Sequence, residues 1–385
     1  MKRYGAVVLV MLLFLALGAP VRTSSAEDRL DRIELELKEI KKENEGLKKR
    51  LEDIEVDQED TKQGYSTISK LVDVSGYADA ELNFTNQTGE VSRFRIRHLS
   101  LFFSKDIEKE WKFFSEIEYQ DAPLIEANPK TDTVNRAQGL IFVEQMYIQY
   151  RPVIDLDLRF GRFLTPVGIW SFYRYPPYVP TQTYPLFYKV VFPEVSDGIQ
   201  LRKSFAAFKS IIDTHLYVSN GAGTPGYGDR NEGKALGGRV NYATDLVRGL
   251  EFGGSFFGER DHTSTLRHSY GAHLLLTRSI FKFQNEFTAR HNHPVNGTGD
   301  FYDMGFYSQL SGEFGKWVLA GRYDWYTKDD RGSDTDHWRY TGAVNYHFAY
   351  SVLGKMEFNR NMYNSPNIRD YDELIFSIVV AIGDL

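Results

Sequence analysis

The sequence predicts an all-β chain, a transmembrane antiparallel β-barrel of about 16 strands, preceded by a short N-terminal α-helical coiled coil. Three observations predict it. The chain opens with an export signal. Beyond residue 70 its apolar residues recur with period two in runs of ~9–12, the length a tilted strand needs to cross a bilayer. Aromatic residues reach 15% of the 385, with 24 Tyr, 27 Phe and 5 Trp, while Cys is absent.

Lys2 and Arg3 precede an apolar run from Ala6 to Leu17, and small residues follow up to Ala26. This is the layout of a cleaved signal peptide over residues 1–26. Its twelve apolar residues are too few for a comfortable membrane span. Removing it shifts the net charge from −6 to −9, because the leader carries three bases and no acid. An acidic chain is a poor general nucleic-acid binder. Without Cys there can be no disulfide, thiolate metal site or covalently attached haem.

Residues 27–58 carry heptads. Leu30, Leu37, Asn44 and Leu51 fall at position a, and Ile33, Ile40, Leu47 and Ile54 at position d, with charged residues between. Leu at a with Ile at d favours three or four strands over two, and a buried Asn44 fixes register. A single solvated helix is the bland alternative. Residues 59–70 are polar, lack the repeat and read as a linker.

From residue 71 the period is two. Strands are expected to begin near residues 71, 92, 111, 139, 155, 197, 208, 234, 249, 266, 280, 301, 316, 338, 351 and 373. Connections alternate between short and long, as periplasmic turns and outer loops do. The polar rows carry charges of both signs, which suits an aqueous lumen. Two positions disturb the apolar rows. Glu144 falls among Leu140, Phe142, Met146 and Ile148, and Asn285 falls among phenylalanines. Either the register is offset there or those strands face another subunit.

Residues 164–193 form a different kind of segment. They hold six of the thirteen prolines, Pro166 among them, with Trp170, Tyr173, Tyr175 and Tyr178. Proline forbids regular ladder pairing, and so apolar a loop is expected inside the barrel as a constriction, with an outer lid or a contact between subunits as the alternatives. Arg174 and Lys189 are the charges it could present. Arg93, Arg95 and Arg97 share one inward row, and Arg159 and Arg322 lie on other inward rows. Such arginines offer forked donors to phosphate or carboxylate. Equally, they could pair with wall acids and only stiffen the barrel.

No catalytic arrangement emerges, so no enzyme and no cofactor are expected. His291 and His293, with Asp300 and Asp303, are read as chance neighbours, and no metal site is expected.

The run from Ser92 to Phe103, followed by Trp111 to Tyr119, resembles the early strands of the phosphate-selective porins O and P. Phe142 to Tyr150, then Leu158 to Gly168, is similar to that family's motif at the start of its inner loop. Here the motif is Gly161, Arg162, Phe163, Thr165, Pro166 and Gly168. Ser219-Asn220-Gly221 is similar to its later turn. The resemblance covers residues 70–385 and implies a homotrimeric channel of sixteen strands in the outer membrane of a Gram-negative bacterium, passing small polar solutes, anions such as phosphate among them. The family's arginine ladder finds no residue-by-residue match, which leaves solute preference open. The rival reading is structural: an envelope tether joined to a periplasmic partner through the coiled coil, or the barrel housing of an outer-membrane electron-transfer conduit.

Overall fold

The computed structural model describes residues 72–128, 133–153, 155–221, 233–261, 263–295, 299–328 and 335–383, with side chains 122–138 and 207 left aside. The expected leader, heptads and linker lie outside the described residues.

Sixteen strands follow in chain order: β1 (Asp73–Thr85), β2 (Arg93–Asp106), β3 (Trp111–Asn128), β4 (Thr133–Val153), β5 (Leu156–Leu164), β6 (Val195–Ala207), β7 (Ser210–Ser219), β8 (Ala235–Thr244), β9 (Leu250–Arg260), β10 (Leu266–Arg278), β11 (Phe281–His293), β12 (Phe301–Phe314), β13 (Trp317–Lys328), β14 (Thr335–Ala349), β15 (Val352–Tyr363) and β16 (Tyr371–Ile382). One short helix, α1 (Trp170–Tyr173), lies between β5 and β6.

Each strand pairs antiparallel with its sequence neighbours, and β1 closes on β16 from Gly76 opposite Ile382 to Thr85 opposite Glu373. The closed ladder leaves no sheet edge, so backbone groups find partners all round the ring. Connections are short at the end where β2 meets β3 and long at the end where β1 meets β2, as the sequence predicts. The largest offset is at β4, expected near 139 and beginning at Thr133. Residues 133–138 are mostly polar, and their two apolar residues, Val134 and Ala137, do not alternate with period two, so nothing in the sequence marks them as strand.

Period-two alternation places one row of each strand outward. Leu216 and Val218 on β7, Phe252 on β9, Phe358 on β15 and Ile378 on β16 face away from the interior and are exposed in the isolated chain. At the short-turn end, outward rings pair: Trp111 stacks on Tyr150 with centroids 4.5 Å apart, and Trp317 meets Tyr346 at 4.6 Å. Such pairs suit a membrane–water boundary, where an amphipathic ring has one apolar and one wet side.

The Glu144 anomaly resolves as a β-bulge. Glu116 pairs with Gln145 while Ile117 pairs with Val143, so Glu144 is the extra residue. The bulge turns both Glu144 and Gln145 inward and leaves Met146 and Ile148 outward, so Glu144 does not face lipid or a neighbouring subunit. A second register shift opposite Asp79 and Ala80 leaves Arg97 unpaired, next to the buried His98. Asn285 stays in the outward row of β11, opposite Leu274 and Ser308, and is half-buried.

Gly161 lies within β5 with φ +132, and a Cβ there would collide with the carbonyl of Met146. Gly161→Ala should therefore destabilise the barrel by ~1–3 kcal/mol. The measurement is the temperature at which the folded, fast-migrating band unfolds in a heat-modifiability gel. Gly342, with open space at its Cβ position, is the matched control, and Gly342→Ala should leave that temperature nearly unchanged.

Candidate functional site: the inner loop and the lumen

The segment between β5 and β6 runs through the inside of the barrel. Its apolar residues Val167, Phe187, Val191 and Phe192 pack on inward rings of the wall, Tyr147, Phe163, Tyr217, Phe257 and Tyr307. Phe187 stacks on Tyr307 with centroids 6.0 Å apart, over the space that the missing side chain of Gly305 leaves. Burying one such ring stabilises by ~1.5–3 kcal/mol. The wall therefore alternates apolar outside with charged and aromatic inside. Those inward rings are where the loop seats.

Polar anchors then fix the loop at several points round the ring. The Trp170 amide donates to Glu286 Oε1 at 2.8 Å, and the Tyr307 hydroxyl donates to the same oxygen at 2.7 Å. Arg239 Nε donates to the Gly168 carbonyl at 3.1 Å. On the far wall, the Thr183 hydroxyl and amide donate to Glu357 at 2.6 and 3.1 Å, and Lys355 donates to the Val179 carbonyl at 2.8 Å. Asn345 reaches the Pro180 carbonyl at 2.9 Å. Gly168 has φ +53, and a Cβ there would overlap the Glu286 carboxylate, so the motif glycine is required by close approach.

Two arginines expected to face the passage are structural instead. Arg174 is 4% exposed, bonds Glu144, Glu194 (2.5 Å) and the Tyr188 hydroxyl (2.8 Å), and joins the loop to itself and to β4. Burial alone would raise the Glu194 carboxyl, but Arg174 and Lys189 outweigh it and hold it below the usual carboxylate range. Arg322 is likewise buried, 2.9 Å from Asp324, and donates to Thr181 and Thr183 of the loop. Their charges are spent on neighbours because a buried guanidinium without an acid would be too costly. Lys189 remains partly accessible, 2.7 Å from Glu194 and over the Tyr184 ring.

Other expected residues fall as follows. Arg93 is exposed at the long-connection end, and no acid lies within ion-pair distance of it among the described residues. Arg95 bonds Glu81 at 2.6 Å, and Arg97 lies 3.2 Å from Asp121. Arg159 donates to Gln149 at 3.0 Å and lies over the Tyr147 ring. Arg162 faces outward, beside the exposed Met146, and forms a forked pair with Asp197 at 2.6 and 2.7 Å. Phe163 is buried under the loop, Thr165, Pro166 and Trp170 are buried within it, Tyr175 bonds Glu116 at 3.2 Å, and Tyr173 and Tyr178 are exposed.

A basic wall on β5–β8 was legible only in part. Arg159, Arg202 and Arg239 stand on inward positions of β5, β6 and β8. The tip of α1 meets this wall through Phe172, whose ring centre lies 4.5 Å from the Arg239 guanidinium, whereas the Tyr173 ring lies 4.8 Å from Lys282 Nζ on β11. Arg202 and Arg239 occupy inward positions of β6 and β8, and their parity with Gln200 and Asn241 was the available signal.

Two groups of metal-ligating side chains converge. Glu116, Glu118 and Glu144 meet under the loop, where Arg174 already supplies positive charge. His291, His293 and Asp300 meet at the rim, whereas Asp303 turns inward to Arg290.

A profile of the family Phosphate-selective porin O and P matches residues 74–292, more than half of the chain. An uncharacterized protein of Aquifex aeolicus (strain VF5) is 28% identical over 158 residues, and the match spans 40% of this chain but only 33% of that protein. Among solved structures, an outer membrane protein of Vibrio cholerae, OmpT lacking loop L8, aligns with a TM-score of 0.59 at 12% identity, covering 80% of this chain and 98% of that one. The anion-selective porin from Comamonas acidovorans aligns with a TM-score of 0.58 at 13% identity, covering 80% and 99%. The closed sixteen-strand ring and the family match agree, and the chain belongs to the phosphate-selective porin O and P family.

Proposed function

We propose that this channel prefers small anions, phosphate and other oxyanions among them. The observation that carries the reading is how the wall divides its charges. Among the described residues, twelve acids but only five bases are buried. Some buried acids hold loop amides and hydroxyls (Glu286, Glu357) or buried arginines (Glu144, Asp324), and others pair with arginines that stay partly accessible, as Glu81 does with Arg95 and Asp157 with Arg151. Accessible inward positions keep Arg93, Arg95, Arg97, Arg159 and Arg202. The accessible acids beside them, Asp121 and Asp213, are themselves held against Arg95, Arg97 and Arg202. A solute therefore meets forked cationic donors along walls whose acids are mostly withdrawn from water. No catalytic role is assigned. The name of the Comamonas relative, anion-selective, agrees with this preference.

We further infer a homotrimer, in line with the trimer form named for the Vibrio cholerae OmpT structure, with the heptads of residues 27–58 helping to assemble it.

Three outcomes follow. A unit charge 4 Å from the ion path is worth about 1 kcal/mol in water, or about fivefold in permeability ratio. Arg159→Ala with Arg202→Ala should shift the reversal potential in a salt gradient toward the cation by at least that ratio. An unmoved potential would remove this wall from selectivity. Gly168→Ala should displace the loop from Glu286 and raise single-channel conductance in planar bilayers. Deletion of residues 27–58 should weaken the oligomer on native gels while leaving the heat-modifiable barrel band in place.

A further inference from the structure

The chain has nine histidines, and three of them meet on one outward patch. His268 of β10 lies directly opposite His291 of β11, and His291 lies opposite Tyr302 of β12. Odd-numbered residues of β11 face outward, as the exposed Phe281 and Phe287 show. His291 and His293 therefore project from the outer surface at the end with long connections. Asp300 returns to the same spot just before β12. Its Oδ2 lies 2.8 Å from His291 Nε2, and its Oδ1 lies 2.5 Å from His293 Nδ1. The three ligand atoms all fall within 4.8 Å of one another. His291 is also oriented by stacking on Tyr302, with centroids 4.6 Å apart and planes within 5°.

We propose that His291, His293 and Asp300 form a binding site for a borderline divalent transition ion, with Zn2+ as the test case, on the outer rim between β11 and β12. Two imidazoles and a carboxylate are the donor set of an open tetrahedral Zn2+ site. Bonds of ~2.0–2.2 Å place tetrahedral donors ~3.3 Å apart, so each ring nitrogen must draw back from the carboxylate by roughly half an ångström and the two ring nitrogens, at most 4.8 Å apart, must close by up to ~1.5 Å. The ion replaces the two hydrogen bonds that now run between the rings and the carboxylate. Water takes the fourth position. Exposed His–Asp pairs add little to stability on their own. An ion here would instead tie the end of β11 to Asp300, next to the start of β12. Nothing in the passage is involved, so the site is independent of solute preference.

The test uses the full chain without an affinity tag, folded in detergent micelles and titrated with Zn2+ by calorimetry. The expected result is one saturable site per chain. His291→Ala and His293→Ala should each weaken it about tenfold or more, while His347→Ala on β14 leaves it unchanged. Heat-modifiable mobility confirms that each variant is folded. With Cu2+ in place of Zn2+, electron paramagnetic resonance should show two coordinated nitrogens in the native chain and one in His293→Ala. No saturable site in the native chain, or equal affinity in the native chain and both variants, would overturn the proposal.

Discussion

The constraint on which everything else depends is ring closure. A sheet crossing hydrocarbon cannot present an edge, because each unpaired backbone group there costs several kcal/mol. Pairing of β1 with β16 removes that edge and fixes which row of every strand faces lipid. Once parity is fixed, one row must be apolar, and the other is released from that demand. Charge, amide and ring can all be placed inside. The loop exploits this freedom, since its apolar residues find rings on the inner wall and its backbone finds acids and bases there.

Much of this was legible from period two alone. Strand number and most strand starts follow from apolar rows, because lipid imposes the same rule on every strand. Where the rule is silent, the sequence is silent too. Residues 133–138 extend β4 with a run, Thr-Val-Asn-Arg-Ala-Gln, in which no period-two apolar row can be read. Glu144 looked misplaced because a bulge inserts one residue and changes parity, and a bulge leaves no periodic trace. The inner loop was visible from its prolines and rings, but its anchors were not. Glu286, Glu357 and Lys355 are distant in sequence and look like ordinary lumen charges until the loop is laid over them.

Charge shows the same limit. Counted along the chain, acids exceed bases, which points away from an anion path. In the fold, acids are used as fasteners. Asp324 alone holds Arg322, Arg339 and the Leu186 amide. Arg174 and Arg322 looked like lumen cations in the sequence and serve as rivets. Arg202 and Arg239, unremarkable in the sequence, line the wall opposite the loop tip. Selectivity in such a channel depends on which charges remain hydrated, and that is a property of packing.

The central claim is that the hydrated charge of the passage is positive although the chain is acidic. Its most direct test is the zero-current potential of the purified native channel across a planar bilayer with unequal KCl on the two sides. The account predicts the sign of a channel permeated mainly by chloride. A potential of the opposite sign, set by potassium, would contradict it.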